Sequence, residues 1–170
     1  EWKDHFLPEP QERVREATAD EEKKLMSSIR GDYAPALRFA ILTGCRRAEI
    51  VGLEWKHVDF FNREIRVVGK RDRSRSIPMT EAIYALLWSL KDHHKTAVFT
   101  YVAKRPRPGA VRGDRQPITM EGFKTEWRRT KNRSNVEDFR FHDNRHTAAT
   151  RLVRATGNLK LAQKMLGHTE

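Results

Sequence analysis

Phe141-His142-Asp143-Asn144-Arg145-His146-Thr147-Ala148-Ala149-Thr150-Arg151-Leu152 is the stretch around which the rest of the chain is organised. It reads as a helix that opens near His142 and runs to about Ala155, with Gly157 as its stop. Residues at i and i+3 share a helix face, so His142 and Arg145 project together. A rigid guanidinium fork beside a proton-carrying imidazole suits a phosphate whose charge changes during a reaction. His142, Asp143 and His146 also imitate the metalloprotease pattern H-E-x-x-H. Here the acid is the shorter Asp, and Arg145 would set a cation beside the metal, so no metal site is assigned. His146 is expected to be a buried, hydrogen-bonded structural histidine.

Working outward, Asn158 caps a short helix carrying Leu159, Ala162, Met165 and Leu166, closed by Gly167 and followed by His168. Upstream, a basic polar stretch from Arg128 to Asn135 separates the focal helix from one that starts at Thr119 and runs through Phe123 and Trp127 to about Thr130. Thr18-Ala19-Asp20-Glu21 has the capping-box form and opens a helix to about Arg30. Tyr33 to Thr43 has helical spacing and breaks at Gly44, and a short helix begins near Arg47. Val58–Phe60, Glu64–Val68 and Arg75–Pro78 read as three strands with turns at 61–63 and 69–73. Thr80 then caps a helix with Ile83, Leu86, Leu87 and Leu90 on one stripe, Val98 to Tyr101 is extended, and Lys104 to Pro117 is a loop. Trp55, Trp88 and Trp127 are expected in the core. The expected fold class is mainly α (α+β): a helical domain carrying one small three-stranded antiparallel sheet. Residues 1–14, with Pro8 and Pro10, read as a linker from a preceding domain, and 15–170 as a single domain.

Lys and Arg number 34 against 23 acids, a formal charge of +11. That excess points to a polyanionic partner, nucleic acid first and an acidic membrane surface second; it selects a partner class and not an activity. Cys45 is the only cysteine, which excludes an intramolecular disulfide framework and fits a reducing compartment. There is no run of about 18 apolar residues, hence no membrane span expected, and no signal-peptide pattern. The expected setting is cytoplasmic, in contact with DNA or RNA.

Three further residues invite a chemical reading. Arg46 stands in Thr43-Gly44-Cys45-Arg46-Arg47-Ala48-Glu49-Ile50, with Glu49 three residues on and able to hold its guanidinium; the alternative is an ordinary surface ion pair. Lys70 falls in the hairpin turn Gly69-Lys70-Arg71-Asp72-Arg73, where a lysine can enter a groove and protonate a leaving oxygen; the alternative is a solvated turn lysine. His168, just past a helix end, gains interest only from its place relative to the others. Arg71, Arg73, Arg75, Arg105, Arg107 and Arg128 are candidates for neutralising backbone phosphates, contacts that give salt-dependent affinity without sequence choice. For any one of them the alternative is simple solubility.

Thr43-Gly44-Cys45-Arg46 with Glu49, Gly69-Lys70 leading to Ile77-Pro78-Met79, His142 through Thr150, and Leu166-Gly167-His168 together resemble the catalytic domain of the tyrosine recombinases, the phage integrase family. The likeness runs from about Arg13 to the last residue. It implies that Arg46 and Arg145 clamp the scissile phosphate and stabilise its pentacoordinate transition state. It further implies that Lys70 protonates the 5′-hydroxyl leaving group, that His142 assists proton transfer at the nucleophile, that His168 contacts the phosphate, and that Glu49 supports the site.

The implied function is site-specific DNA recombination or integration through a 3′-phosphotyrosine, with no cofactor, metal or ATP. The implied partners are a double-stranded DNA recombination site and further copies forming a homotetramer, with accessory DNA-bending proteins as candidates and no membrane. The implied setting is the cytoplasm, at the nucleoid, and residues 1–14 would lead in from an N-terminal DNA-binding domain. In the family the nucleophilic tyrosine follows the Leu-Gly-His segment. Tyr33, Tyr84 and Tyr101 all precede the focal helix, so no nucleophile is assigned within 1–170, and the fragment as given is expected not to cleave DNA. Asn144 and Ala148 depart from the family pattern in ways that suggest loosened local packing. Two rivals share the fold: a type IB topoisomerase, which relaxes supercoils by the same chemistry, and a non-catalytic DNA-binding module.

Overall fold

The computed structural model describes residues 13–69 and 74–167; Lys70, Arg71, Arg73 and His168, and all but the end of the 1–14 segment, lie outside the described residues. Helix α1 (Ala19–Ser28) begins where its capping box dictates: Glu21 N–H donates to Thr18 Oγ1 at 3.2 Å, and Thr18 N–H donates to Glu21 Oε2 at 2.9 Å. Helix α2 (Ala34–Thr43) is apolar almost all round, with Ala36, Leu37, Phe39, Ala40 and Ile41 buried, and is therefore the central helix. Gly44 ends it in the left-handed region (φ 66°), and α3 (Arg47–Val51) starts at once in a new direction with Arg46 as its N-cap.

Strands β1 (Val58–Asp59), β2 (Glu64–Val68) and β3 (Ser74–Pro78) form an antiparallel sheet in chain order. The register sets Ile65 opposite Ile77, both fully buried, and the alternation along β2 leaves Val67 on the same inward face. Helix α4 (Glu81–Leu90) follows, then β4 (Thr100–Val102), which pairs with β5 (Arg115–Pro117). The chain finishes with α5 (Met120–Ser134), α6 (Asp143–Thr156) and α7 (Leu159–Leu166). α2 packs against α1, α3, α4 and α6, and α7 packs against both α6 and β3. The ends of α2, α3, β3 and α7 thereby converge on the start of α6. Among the described residues no helix is long and apolar enough to cross a membrane.

The mainly α architecture with its three-stranded sheet is as expected, and four local readings are corrected. The segment Lys104–Pro117 is not all loop, since Arg115–Pro117 pairs with Thr100–Val102; strands of three polar or mixed residues carry no periodic signal. Helix α5 continues past Thr130 to Ser134, because its polar last turn is tied down: Lys131 Nζ donates to Phe139 O at 2.8 Å, and Arg133 Nε to Ser28 O at 2.8 Å. Trp88 is 49% exposed, stacked parallel on Tyr84 at 5.7 Å with Lys91 over its ring, so the aromatic carries its own cover. His146 is half-buried, edge-on to the His142 ring at 6.2 Å, where a buried residue was expected. Trp127 is in the core and Trp55 is packed against it, as expected.

Gly44 is required twice over. Its backbone is left-handed, and a Cβ there would stand 2.7 Å from Leu166 Cδ2 and 3.2 Å from Ala148 Cβ. Gly44→Ala is expected to destabilise the fold by roughly 2–4 kcal/mol, adding left-handed strain to overpacking between α2, α6 and α7. A urea midpoint within error of wild type would show that the helices do not meet this closely. Ala148, on the far side of that contact, also lines a cavity of about 240 Å³ with Ile41, Ile83 and Met165.

Candidate active site

Arg46 sits at the hinge between α2 and α3, 47% of its side chain exposed. Its place is set from below by Glu49, whose Oε2 accepts the Arg46 backbone N–H at 2.7 Å while Oε1 lies 3.4 Å from Nη1. Glu49 is itself buried, 2% exposed, and its principal partner comes from β3: Arg75 donates Nη1 to Oε1 at 2.5 Å and Nη2 to Oε2 at 3.0 Å, a bidentate pair. Arg75 also donates Nε to the Met165 carbonyl at 2.7 Å, and its aliphatic stem fills the space beside Gly167, where a Cβ would be 2.8 Å from Arg75 Cδ. One buried arginine thus joins β3 to α3 and to the end of α7.

Arg145, on the first turn of α6, is 4% exposed. Nη1 donates to the Gly44 carbonyl at 3.1 Å and Nη2 to the Leu166 carbonyl, so the guanidinium is aimed by the ends of α2 and α7. His142 is the N-cap of α6 and is exposed. Its turn is pinned by buried Asp143, which accepts the Arg140 N–H at 2.7 Å and the Arg13 guanidinium at 3.1–3.3 Å. Asn144, buried beside it, donates Nδ2 to the Phe141 carbonyl at 3.0 Å.

The electrostatics are those of a cluster of cations. Burial, and then the proximity of Arg46 and Arg75, pull the Arg145 guanidinium down to about 10, against the opposing pull of Glu49. Among the described residues, two guanidiniums, Arg46 and Arg75, are bound to the Glu49 carboxylate, and its charge also acts on a third, Arg145. Burial would raise the Glu49 carboxyl, but the Arg75 hydrogen bonds and the Arg46 N–H outweigh it and hold the group ionised below its ordinary range. Burial pushes the Cys45 thiol up to about 12, making it an inert neighbour and not a nucleophile. His142, exposed overall but with its ring partly covered, is held below the ordinary histidine range by that partial desolvation, then by Arg145, His146 and Arg46, with Asp143 opposing. It is neutral at neutral pH and can accept a proton from an attacking hydroxyl. A phosphate diester entering here would meet donors already aimed and a neutral base.

Of the residues picked from the sequence, Arg46, Glu49, Arg145 and His142 are brought together. Arg75, read there as a candidate for DNA-backbone contact, lies inside as the partner of Glu49, only 12% of its side chain exposed. Arg105 and Arg107 are exposed between β4 and β5, with Arg107 over the Tyr101 ring at 5.3 Å, and Arg128 is exposed on α5. None of the three is hydrogen-bonded to the cluster among the described residues. Arg13 and Asp143 escaped notice as a pair, since 130 residues separate them. The aromatic run Phe139, Phe141 and Trp127 was the available hint that this turn is rigid.

The lowered His142 has a consequence for stability. Its folded value lies below its unfolded one, about 6.5, so the unfolded chain binds the extra proton first. Stability should therefore decline as pH falls from about 6.5 towards the folded value and level off below it. His142→Gln is expected to lessen that acid-side loss; His93, shifted the same way, is common to both proteins. Urea midpoints at neutral and mildly acid pH check this, and equal losses in both proteins would contradict it.

Comparison with known proteins places these observations. The model of the phage integrase family matches residues 15–170. The integrase of Salmonella phage P22 is 30% identical over 169 residues, covering 95% of this chain and 43% of its own length. Tyrosine recombinase XerC of Corynebacterium glutamicum is 28% identical over 153 residues, 90% of this chain and 46% of its own length. The chain thus spans less than half the length of these curated relatives. Among solved structures, a lambda integrase tetramer bound to a Holliday junction shares the fold with a TM-score of 0.70 at 20% identity, over 95% of this chain and 48% of that one.

Proposed function

The chain belongs to the phage integrase family, and on that premise we propose that it is the catalytic part of a site-specific DNA recombinase working through a 3′-phosphotyrosine link. The observation that carries the reading is the cluster itself: Arg46, Arg75 and Arg145 around the carboxylate of Glu49, with a neutral imidazole at His142. In this reading Arg46 and Arg145 hold the non-bridging oxygens of the scissile phosphate. A tyrosine oxygen attacks phosphorus as His142 takes its proton, the bond from phosphorus to the 5′ oxygen breaks, and Lys70 protonates that oxygen as it leaves. His168 contacts the phosphate and Glu49 supports Arg46 from beneath. The phosphodiester is exchanged for another phosphate ester, so rejoining needs no cofactor.

The partner is a double-stranded recombination site, and likeness to a DNA-bound tetramer supports assembly of several copies on it; the setting that follows from this reading is the cytoplasm, at the nucleoid. Accessory DNA-bending proteins are candidate further partners. The test uses the full-length protein that carries this chain, on nicked suicide duplexes and on plasmids bearing two cognate sites. Covalent protein–DNA adducts and recombinant products are expected. Relaxation without recombinants would favour a topoisomerase, and binding without adducts would favour a DNA-binding module.

A further inference from the structure

Arg47, the residue after Arg46, is held by aromatic packing and, among the described residues, by no ion pair with an acid. Its guanidinium lies over the Phe141 ring at 4.6 Å. Phe141 is itself fixed edge-on against Phe123 at 5.1 Å and Trp127 at 5.4 Å, buried in the core, so the face it offers is a rigid platform. Arg47 Nε is buried and has no hydrogen-bond partner among the described residues. The acid whose charge acts on Arg47 is Glu121, which is already engaged by Lys124 at 2.7 Å. Burial lowers the Arg47 guanidinium below its ordinary value, with Glu121 only partly opposing. A half-buried cation without a counter-ion is unfavourable in the free protein, and an anion from outside would offset that cost.

Its position says which anion. Arg47 follows Arg46 directly, and its platform Phe141 directly precedes His142, so the stack neighbours two residues of the phosphate site along the chain. We propose that Arg47 binds the backbone phosphate next to the scissile one on the same strand, extending the grip of Arg46 and Arg145. This rests on the reading of that cluster as a DNA-strand site. A planar guanidinium with one face on an aromatic ring keeps its Nη groups for a ligand, and a lysine ammonium in its place would have no such fixed direction. Arg75, by contrast, has its donors occupied by Glu49 and the Met165 carbonyl and offers no comparable grip.

The test measures affinity against salt for the full-length protein on a cognate duplex, either unmodified or with a neutral methylphosphonate replacing the neighbouring phosphate. Wild type is compared with Arg47→Met, which keeps an unbranched apolar side chain over Phe141, and with Arg47→Lys. Arg47→Met is expected to weaken binding roughly tenfold or more and to reduce the slope of log affinity against log salt by about 0.9. Arg47→Lys should recover the slope and only part of the affinity. The methylphosphonate should weaken wild type by a similar factor and add nothing to the loss in Arg47→Met. An unchanged slope in Arg47→Met, or losses that simply multiply, overturns the proposal. So does wild-type affinity indifferent to the methylphosphonate, an outcome independent of whether either variant folds. Failure of wild type to form a covalent adduct on the unmodified strand would instead defeat the recombinase reading.

Discussion

Arg46→Ala, placed in the full-length protein, should cleave DNA roughly 10²–10³-fold more slowly than wild type, the usual cost of removing one preorganised donor from a transition-state oxyanion. The fold should scarcely notice. Arg46 is half exposed, its backbone is in the extended region, and the bond that fixes its place runs from its own N–H to Glu49 and survives the substitution. Its side-chain ion pair at 3.4 Å is too exposed to matter much, so stability should stay within about 0.5 kcal/mol. Binding should fall far less than cleavage, since many other cations still face the duplex. Arg46→Lys should recover little, because a point charge does not reproduce the planar fork. Single-turnover cleavage on a suicide duplex is the measurement, and a rate within a few-fold of wild type would remove Arg46 from the phosphate clamp. Arg145→Ala is the poorer probe, for it also strips the Gly44 and Leu166 carbonyls of their donor.

Glu49→Ala should have the larger effect on the fold. It leaves the Arg75 guanidinium, 12% exposed, without its carboxylate in a place water barely reaches, and it unties the Arg46 N–H. Breaking one side of a buried pair costs about 3–5 kcal/mol, chiefly through the stranded charge, a large share of the roughly 5–15 kcal/mol that holds a domain together. The double substitution Glu49→Ala with Arg75→Met should recover most of that loss, since no buried charge is left over. Urea unfolding of the three proteins checks both statements. If the single and double variants were equally unstable, the pair would be worth its packing alone.

Glu49 also shows how far the sequence could be read. Its spacing from Arg46 made a local contact legible, because three residues along a helix is a short-range rule. Its stronger partner, Arg75, is 26 residues away on another element, and no periodicity announces that. The helices were legible for the same local reason: Thr18, Thr80, Thr119 and Asn158 cap them, and Gly44, Gly157 and Gly167 end three of them in left-handed turns. The β4–β5 pair and the last turn of α5 were not, since polar residues there bond to distant backbone and leave no apolar pattern. Of the site, the residue types and their order along the chain were legible. That Arg145 points at the ends of α2 and α7, and that Arg75 lies inside, are facts of packing.

An immobilised arginine forfeits up to about 2 kcal/mol of rotamer freedom. For Arg145 that ordering happens during folding, because two backbone carbonyls and near-complete burial already hold it. For Arg46, half in solvent, much of it is left to happen on the ligand. The two arginines therefore differ in when they lose entropy: one is frozen before any strand arrives, and an arriving phosphate has only the other to order.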